Sequence, residues 1–222
     1  MFVCFEWGES KMTCEAEARV KEKLISNAIH LVAKGGFEKA TTKELTFSGG
    51  DPDCCKMNEV YIYRYFGSKE ELFAAAFVQL DDELYGDFRR AVEIIGGFED
   101  CTVEKLHRFF TMTWEALLES EEKFRYYVRY YYSVYFKSDS LKSHEKHFER
   151  MADNMKVLFK EEANVNAIIH SAFTSLLDFA VLVYNGQLED GDINRPHVFN
   201  VVYSIMAAYF REPAKLYAHA FA

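Results

Sequence analysis

Apolar residues return every three or four positions along most of the chain, the spacing that places them on one face of an α-helix. Val20, Leu24, Ala28, Leu31 and Val32 keep this spacing from about Glu15 to Lys34, where Gly35-Gly36 ends the stretch. A longer stripe of Leu72, Phe73, Ala76, Phe77, Leu80, Leu84 and Phe88 continues until Gly96-Gly97. Further helices are predicted over about 102–119, 121–136, 140–160, 164–185 and 195–211. Leu141, His144, Phe148, Met151, Met155 and Leu158 repeat with the helical period, and the next helix is capped by Asn164 and closed by Gly186. Residues 126–136 are rich in strand-favouring aromatics, yet Phe124, Val128, Tyr131 and Tyr135 hold helical spacing. Alternation bounded by Gly or Asn turns is absent, so the pattern predicts an all-α protein without repeats.

One short segment interrupts the long helices. Asn58-Glu59-Val60-Tyr61-Ile62-Tyr63-Arg64-Tyr65-Phe66 begins at a favoured N-cap and stops at Gly67, and Ser68 with Glu71 forms a capping box that opens the next helix. Ile62 and Phe66, four positions apart, share an anchoring face, while Val60, Tyr61 and Arg64 lie on another face that is left for a partner.

This segment resembles the DNA-binding part of the TetR family of one-component regulators. In that family a helix-turn-helix ends in a pattern close to Ser-x-x-x-Leu-Tyr-x-Tyr-Phe, followed by x-x-Lys-x-x-Leu at the start of a long connecting helix. Asn58, Ile62, Tyr63, Tyr65, Phe66, Lys69 and Leu72 fall on it without a gap. Upstream, Leu24-Ile25-Ser26-Asn27-Ala28 is similar to the family's first helix, Gly35-Gly36-Phe37 to its break, and Thr41-Thr42-Lys43-Glu44-Leu45 to the opening of its second. The similarity spans residues 20 to 75. Residues 1–14 match no element and read as a tail; the resemblance implies a three-helix helix-turn-helix domain over 15–67 and a ligand-binding and dimerisation bundle over 68–222, about nine helices in all. The turn departs from the family. Its usual Ala-Gly-Val is replaced by Gly49-Gly50-Asp51-Pro52-Asp53-Cys54-Cys55-Lys56-Met57, about six residues longer, where the motif relies on a turn of about 3–4 residues. Asp51 and Asp53 bring negative charge toward the expected phosphate positions, and Val60 and Tyr61 are bulkier than the residues often found there.

Resemblance and helix geometry together give the expected contacts. Thr42, Tyr63, Tyr65 and Lys69 would hold phosphates, while Tyr61, Arg64, Asn58 and Glu59 would face bases, Arg64 suited to guanine and Glu59 to cytosine N4. Packing in a small aromatic core is the alternative for the tyrosines. In the family the last two helices pair with their copies, so a homodimer would present two recognition helices to palindromic double-stranded DNA. Ile169, Phe173, Leu176, Ala180, Val198, Val202, Ile205, Met206 and Tyr209 are the candidate interface, because both helices are apolar over more than one stripe and must be buried on two sides. A small-molecule effector is expected in the bundle. Trp114, Tyr127, Tyr131, Phe148, Met155 and Phe173 offer apolar surface for it, with Glu115, His170 and Asp178 as the few polar groups. Asp178 interrupts an apolar helix, which leaves it to a bundle Arg or Tyr, the other subunit, a cationic ligand or an exposed edge. The implied mechanism is a repressor released when a small apolar or amphipathic ligand, acting through the long helix from Ser68, holds the recognition helices at the wrong spacing.

Composition changes this picture in a few places. With 222 residues and 50% hydrophobic content the chain can bury a large core. Its net charge of −9 is unevenly spread: the first 70 residues carry ten Lys and Arg against eleven Asp and Glu, the remainder sixteen against twenty-four. DNA binding would therefore depend on a few placed contacts, doubled by a dimer, more than on bulk attraction to phosphate. The apolar stretches read as shorter than a bilayer span, Val198 to Phe210 for example, and no secretory signal pattern opens the chain. A soluble cytoplasmic protein with no membrane partner is expected. Five cysteines without paired metal spacing suit a reducing compartment, and the adjacent Cys54-Cys55 would bridge only with strain, which leaves an incidental pair or a regulatory thiol. His144 and His147 are placed on a polar face, where solvation accounts for them as well as zinc would. No phosphate-binding glycine loop and no catalytic set is present, so neither enzyme activity, cofactor nor metal is expected. The longer turn and the apolar Phe2, Val3, Phe5 and Trp7 keep open a second reading, an adaptor that binds a protein partner in place of DNA.

Overall fold

A computed structural model of the chain describes residues 7–47 and 57–212. Nine α-helices and no strand occur among the described residues: α1 (Trp7–Gly35), α2 (Thr42–Leu45), α3 (Val60–Phe66), α4 (Lys69–Ile95), α5 (Val103–Leu118), α6 (Glu121–Tyr131), α7 (Ser138–Met155), α8 (Val165–Tyr184) and α9 (Asn194–Ala207). A 3₁₀ turn, Lys156–Leu158, extends α7. Packing divides the chain into two compact units, Met1–Leu80 with Glu122–Ser140, and Asp81–Glu121 with Leu141–Ala222. The division falls inside α4, and most of α6 groups with the first unit.

In the first unit, α1 buries Leu24, Ala28 and Val32 completely. It stops where Gly36 takes a φ of 81° and returns its N–H to the Val32 carbonyl at 2.9 Å. A side chain there would be strained by that φ and would meet the Glu38 carboxylate at 3.0 Å. The core is aromatic. Phe73, Phe77, Tyr126 and Tyr130 are essentially fully buried, with Phe77 stacked on Tyr127 at 4.9 Å and on Tyr130 at 4.7 Å. Polar atoms inside this core are tied to main-chain oxygens: the Tyr126 hydroxyl donates to Phe73 at 2.7 Å and Tyr130 to Tyr135 at 2.9 Å, while at its edge the exposed Arg129 donates to Val32 at 2.7 Å.

The second unit packs α8 against α9 and α5. Its side chains are mostly Phe, Met and aliphatic. The indole N–H of buried Trp114 donates to Asp190 at 2.9 Å, and Arg195 grips both oxygens of that carboxylate at 2.8 Å. A small clasp joins the segment after α7 to the segment after α9: Lys160 N–H donates to Tyr209 at 2.9 Å, Arg211 N–H to Leu158 at 2.8 Å, and the Phe159 and Phe210 rings lie 5.4 Å apart.

Several expected boundaries move. α1 starts at Trp7, so residues 7–14 are helix where a tail was expected. α6 stops at Tyr131, where the aromatic run turns and Ser133 takes a bond from the Tyr135 N–H at 3.1 Å. α7 ends at Met155 and α9 at Ala207, each a few residues early, because the chain there enters the clasp. His144 and His147 correct the expectation of a polar, solvated face. Both are buried on α7, His144 Nδ1 2.9 Å from Asp81 and His147 Nε2 2.7 Å from Asp82, and the expectation failed because the partners sit 60-odd residues away on α4. No group of three or more His, Cys, Asp or Glu suited to a metal ion occurs among the described residues. α8 is long and apolar enough by composition to cross a bilayer, contrary to the reading of short apolar stretches. It buries Ile168, Ile169, Ala172, Phe173, Leu176 and Leu177 in the second unit and exposes Asn166, His170 and Asp178, the pattern of a helix with one face on the core. Phe2, Val3, Phe5, Gly49, Gly50, Asp51, Pro52, Asp53, Cys54, Cys55 and Lys56 lie outside the described residues.

Candidate nucleic-acid interface and apolar cavity

α2 is a single turn held by its caps. The Thr41 hydroxyl accepts from the Glu44 N–H at 3.2 Å, and the Asn27 carboxamide on α1 donates to the Leu45 carbonyl at 2.8 Å. Thr46 is fully buried and turns its hydroxyl back on the carbonyls of Thr42 and Lys43 at 3.1 and 3.0 Å. At the start of α3, the Asn58 carboxamide oxygen accepts from the Val60 N–H at 3.0 Å. Gly67, with a φ of 83°, ends α3 and returns its N–H to Tyr63 at 3.0 Å. Ser68 then caps α4 by accepting from Glu71 N–H at 3.0 Å.

The faces of α3 separate largely as its sequence spacing predicts, except that Tyr63 takes the exposed place expected for Tyr61, which is half-buried. Ile62 is completely buried and Phe66 half-buried, while Val60 is 60% exposed, Tyr63 is 55% exposed and Arg64 is exposed. Tyr61 stacks on Tyr65 with centroids 5.7 Å apart, and the Lys21 ammonium and Arg64 guanidinium each lie 5.4 Å from the Tyr65 ring. Arg64 Nη2 also donates to Glu17 of α1 at 3.0 Å. Such an exposed ion pair is worth about 0–1 kcal/mol, so Arg64 can exchange it for a phosphate or base edge at small cost. Lys69 sits in the first turn of α4 with its ammonium 5.7 Å from the Phe73 ring.

Two expected base or phosphate contacts bind each other. The Thr42 hydroxyl donates to the Glu59 carboxylate at 2.8 Å, and both side chains are half-buried. No local pattern marks this pairing, because the two residues lie on either side of the extended turn.

A cavity of about 60 Å³ lies inside the second unit. α5 lines it with Leu106, Phe109, Phe110 and Thr113, and α4 with Phe88; Met151 and Met155 come from α7. α8 adds Ile169, Ala172, Phe173 and Leu176, and α9 adds Phe199, Val202, Tyr203 and Met206. Among the described residues its only polar side-chain groups are the hydroxyls of Thr113 and Tyr203, and Thr113 donates to the Phe109 carbonyl at 3.0 Å. Of the expected pocket residues, Met155 and Phe173 line it. The others go elsewhere. Trp114 is committed to Asp190, Glu115 is exposed and 3.4 Å from Arg195, and Tyr127 and Tyr131 belong to the first unit. Phe148 packs on Phe173 at 5.2 Å and on His170 at 5.5 Å, and Asp178 takes the exposed edge. Partial desolvation of the largely exposed His170 lowers its pKa, with His144 nearby adding to the shift. The wall residues that sequence reasoning missed are marked by the i, i+3, i+4, i+7 stripe of Leu106, Phe109, Phe110 and Thr113.

The expected interface residues divide by face. Ile169, Phe173, Leu176, Ala180, Val198, Val202 and Met206 are buried within their own chain, whereas Ile205 is half-buried and Tyr209 exposed. Hydrophobicity selects the inner stripe of such helices first. The exposed apolar residues on α8 and α9 include Leu182 and Val201.

Neither a family model nor a curated protein matches the chain. Solved structures do. A TetR family transcription regulator from Marinobacter aquaeolei is 16% identical with a TM-score of 0.66, over 88% of this chain and 97% of its own. A tetR family transcription regulator from a Shewanella species, described as a candidate member, is 12% identical with a TM-score of 0.67, over 86% and 97%. The fatty acid degradation regulator FadR from Bacillus halodurans is 14% identical with a TM-score of 0.59, over 82% and 96%. At these identities the likeness is one of fold.

Proposed function

We propose that this chain, which has the fold of the TetR-family transcription regulators, is a homodimeric, ligand-responsive DNA-binding regulator that acts as a repressor. The observation that carries this reading is the division of α3, which fastens itself by Ile62 and leaves Val60, Tyr63 and Arg64 exposed. A recognition helix needs such a free face to reach base edges. The near balance of charge over the first 70 residues keeps non-specific attraction low, so Arg64 is expected to contribute a large share of the affinity.

The effector in this reading is apolar or amphipathic, because the cavity wall holds two hydroxyls and no charge. An apolar cavity of about 150 Å³ takes in benzene, so at about 60 Å³ this one must open to admit a ligand. Met151, Met155 and Met206 on its wall give it flexible side chains to do so. Exposed Leu182, Val201 and Tyr209 on and just beyond α8 and α9 supply apolar surface for the second copy.

Capture of genomic fragments by the purified protein, at moderate and raised salt and beside Arg64→Ala, tests the reading. Enrichment of a palindromic site that the variant loses is expected. The second reading, an adaptor for a protein partner, is favoured by the exposure of Phe47, Val60 and Tyr63, each more than half open to solvent. No enrichment above the variant, together with a stable protein complex that Tyr63→Ala disrupts, would replace the regulator with the adaptor.

A further inference from the structure

We propose that Thr42 and Glu59 are positioning residues, a side-chain tie across the extended turn that sets the angle of α3 in place of a tight turn. The inference deepens the DNA-binding reading and rests on it. A helix-turn-helix fixes its second helix by keeping the connection to about 3–4 residues. Here α2 ends at Leu45 and α3 begins at Val60, so chain length alone cannot fix the angle.

Three observations say what does. The Thr42 hydroxyl on α2 donates to Glu59, immediately before α3, at 2.8 Å. The Met57 N–H donates to the Thr46 carbonyl at 3.0 Å, closing the two ends of the connection on each other. Thr46 is held in turn by bonds from its hydroxyl to α2, and α2 is held to α1 through Asn27. Together these make a continuous path of hydrogen bonds from α1 to the start of α3. The bond that accepts on a carboxylate is the strongest kind in that path.

The tie also changes which side chains are free to read DNA. Glu59 Oε2 is taken by Thr42, and the Asn58 oxygen is taken by the Val60 N–H. A carboxylate facing the duplex would meet phosphate repulsion, whereas one turned onto a hydroxyl contributes geometry. Of the residues expected to face bases this leaves Arg64 on the exposed face, with Tyr61 stacked beside it on Tyr65, and Glu59 acts through α3.

Amide hydrogen exchange over Val60–Phe66 in the full chain without DNA, paired with binding to the enriched site and its single-base variants, tests this. Thr42→Val and Glu59→Ala are each expected to speed exchange in α3 about tenfold, the scale of one lost charge-assisted bond. The double variant should be no faster than either alone, and exchange in α8 should stay unchanged as an internal control. Glu59→Gln, which keeps an acceptor, and Thr42→Ser, which keeps the donor, should restore slow exchange. On DNA, Thr42→Val should weaken binding by one factor on every base variant. Unchanged exchange in both single variants would overturn the proposal. So would Glu59→Ala relaxing preference at one base pair while Thr42→Val does not. If the parent protein binds no DNA, the regulator reading fails by itself, and the exchange result alone decides the tie.

Discussion

Both units bury aromatic rings and use them differently. In the first, rings carry polar ties: the hydroxyls of Tyr126 and Tyr130 each end on a main-chain oxygen. A buried ring with a bonded hydroxyl has one acceptable position, because moving it strands a polar atom. In the second, the cavity walls are Phe, Met and aliphatic side chains, with empty space between them. Such a wall loses contact energy when it shifts but strands almost nothing, so its alternatives lie closer in energy. The comparison teaches that one unit is made to keep a geometry and the other to tolerate several.

The largest test of that contrast is Phe77→Ala in the first unit. Phe77 is fully buried between Tyr127 and Tyr130, so truncation should cost about 3–5 kcal/mol and lower Tm by roughly 10 °C. A denaturation midpoint close to the parent's would show that the aromatic core can collapse around the gap, and the contrast would be lost.

A matched pair sharpens it. Ala76→Val adds volume to a completely buried position of the first unit and should destabilise by about 1–3 kcal/mol. Ala172→Val adds the same volume beside the cavity and should end within about 1 kcal/mol of the parent, while weakening any apolar ligand that stabilises the protein in a thermal shift. Both positions are helical, so the lower helix propensity of valine cancels between them. Equal losses in urea denaturation would refute the distinction.

Tyr126→Phe isolates a single tie. It removes the 2.7 Å bond to the Phe73 carbonyl without changing ring packing, and about 1 kcal/mol should be lost. A larger fall in the urea midpoint would mean that the hydroxyl holds more than its own partner.

The smallest expected effect concerns His170 at the edge of the second unit. Burial lowers its pKa below the usual histidine value, so the folded state resists its protonation. The sign follows from linkage: its contribution to stability is present above about pH 6.5 and is lost as pH falls from there through the folded pKa. His170→Gln should flatten the dependence of Tm on pH below neutrality, and an unchanged slope would assign that dependence to other groups.

Much of the fold is legible in the amino-acid sequence. Helical periods place α4, α5, α8 and α9 because each buries a regular stripe, and Asn164, Ser68 and Gly67 mark ends because caps are local chemistry. Pairings across the chain are not legible there. Asp81 with His144, Trp114 with Asp190, and Thr42 with Glu59 join residues 17 to 76 positions apart, and no local pattern announces them. The apolar choices on α8 and α9 fail for a related reason. A helix with two greasy stripes reveals that it is covered twice, but not which stripe meets its own chain.

The clasp between residues 158–160 and 209–211 sets an order of assembly. Everything the first unit packs has been synthesised once Ser140 is made. The second unit waits for Arg211, whose main chain fastens the segment after α7. At about 5–20 residues per second this leaves an interval of several seconds in which all of the first unit has been synthesised while the apolar face of α5 still lacks α9.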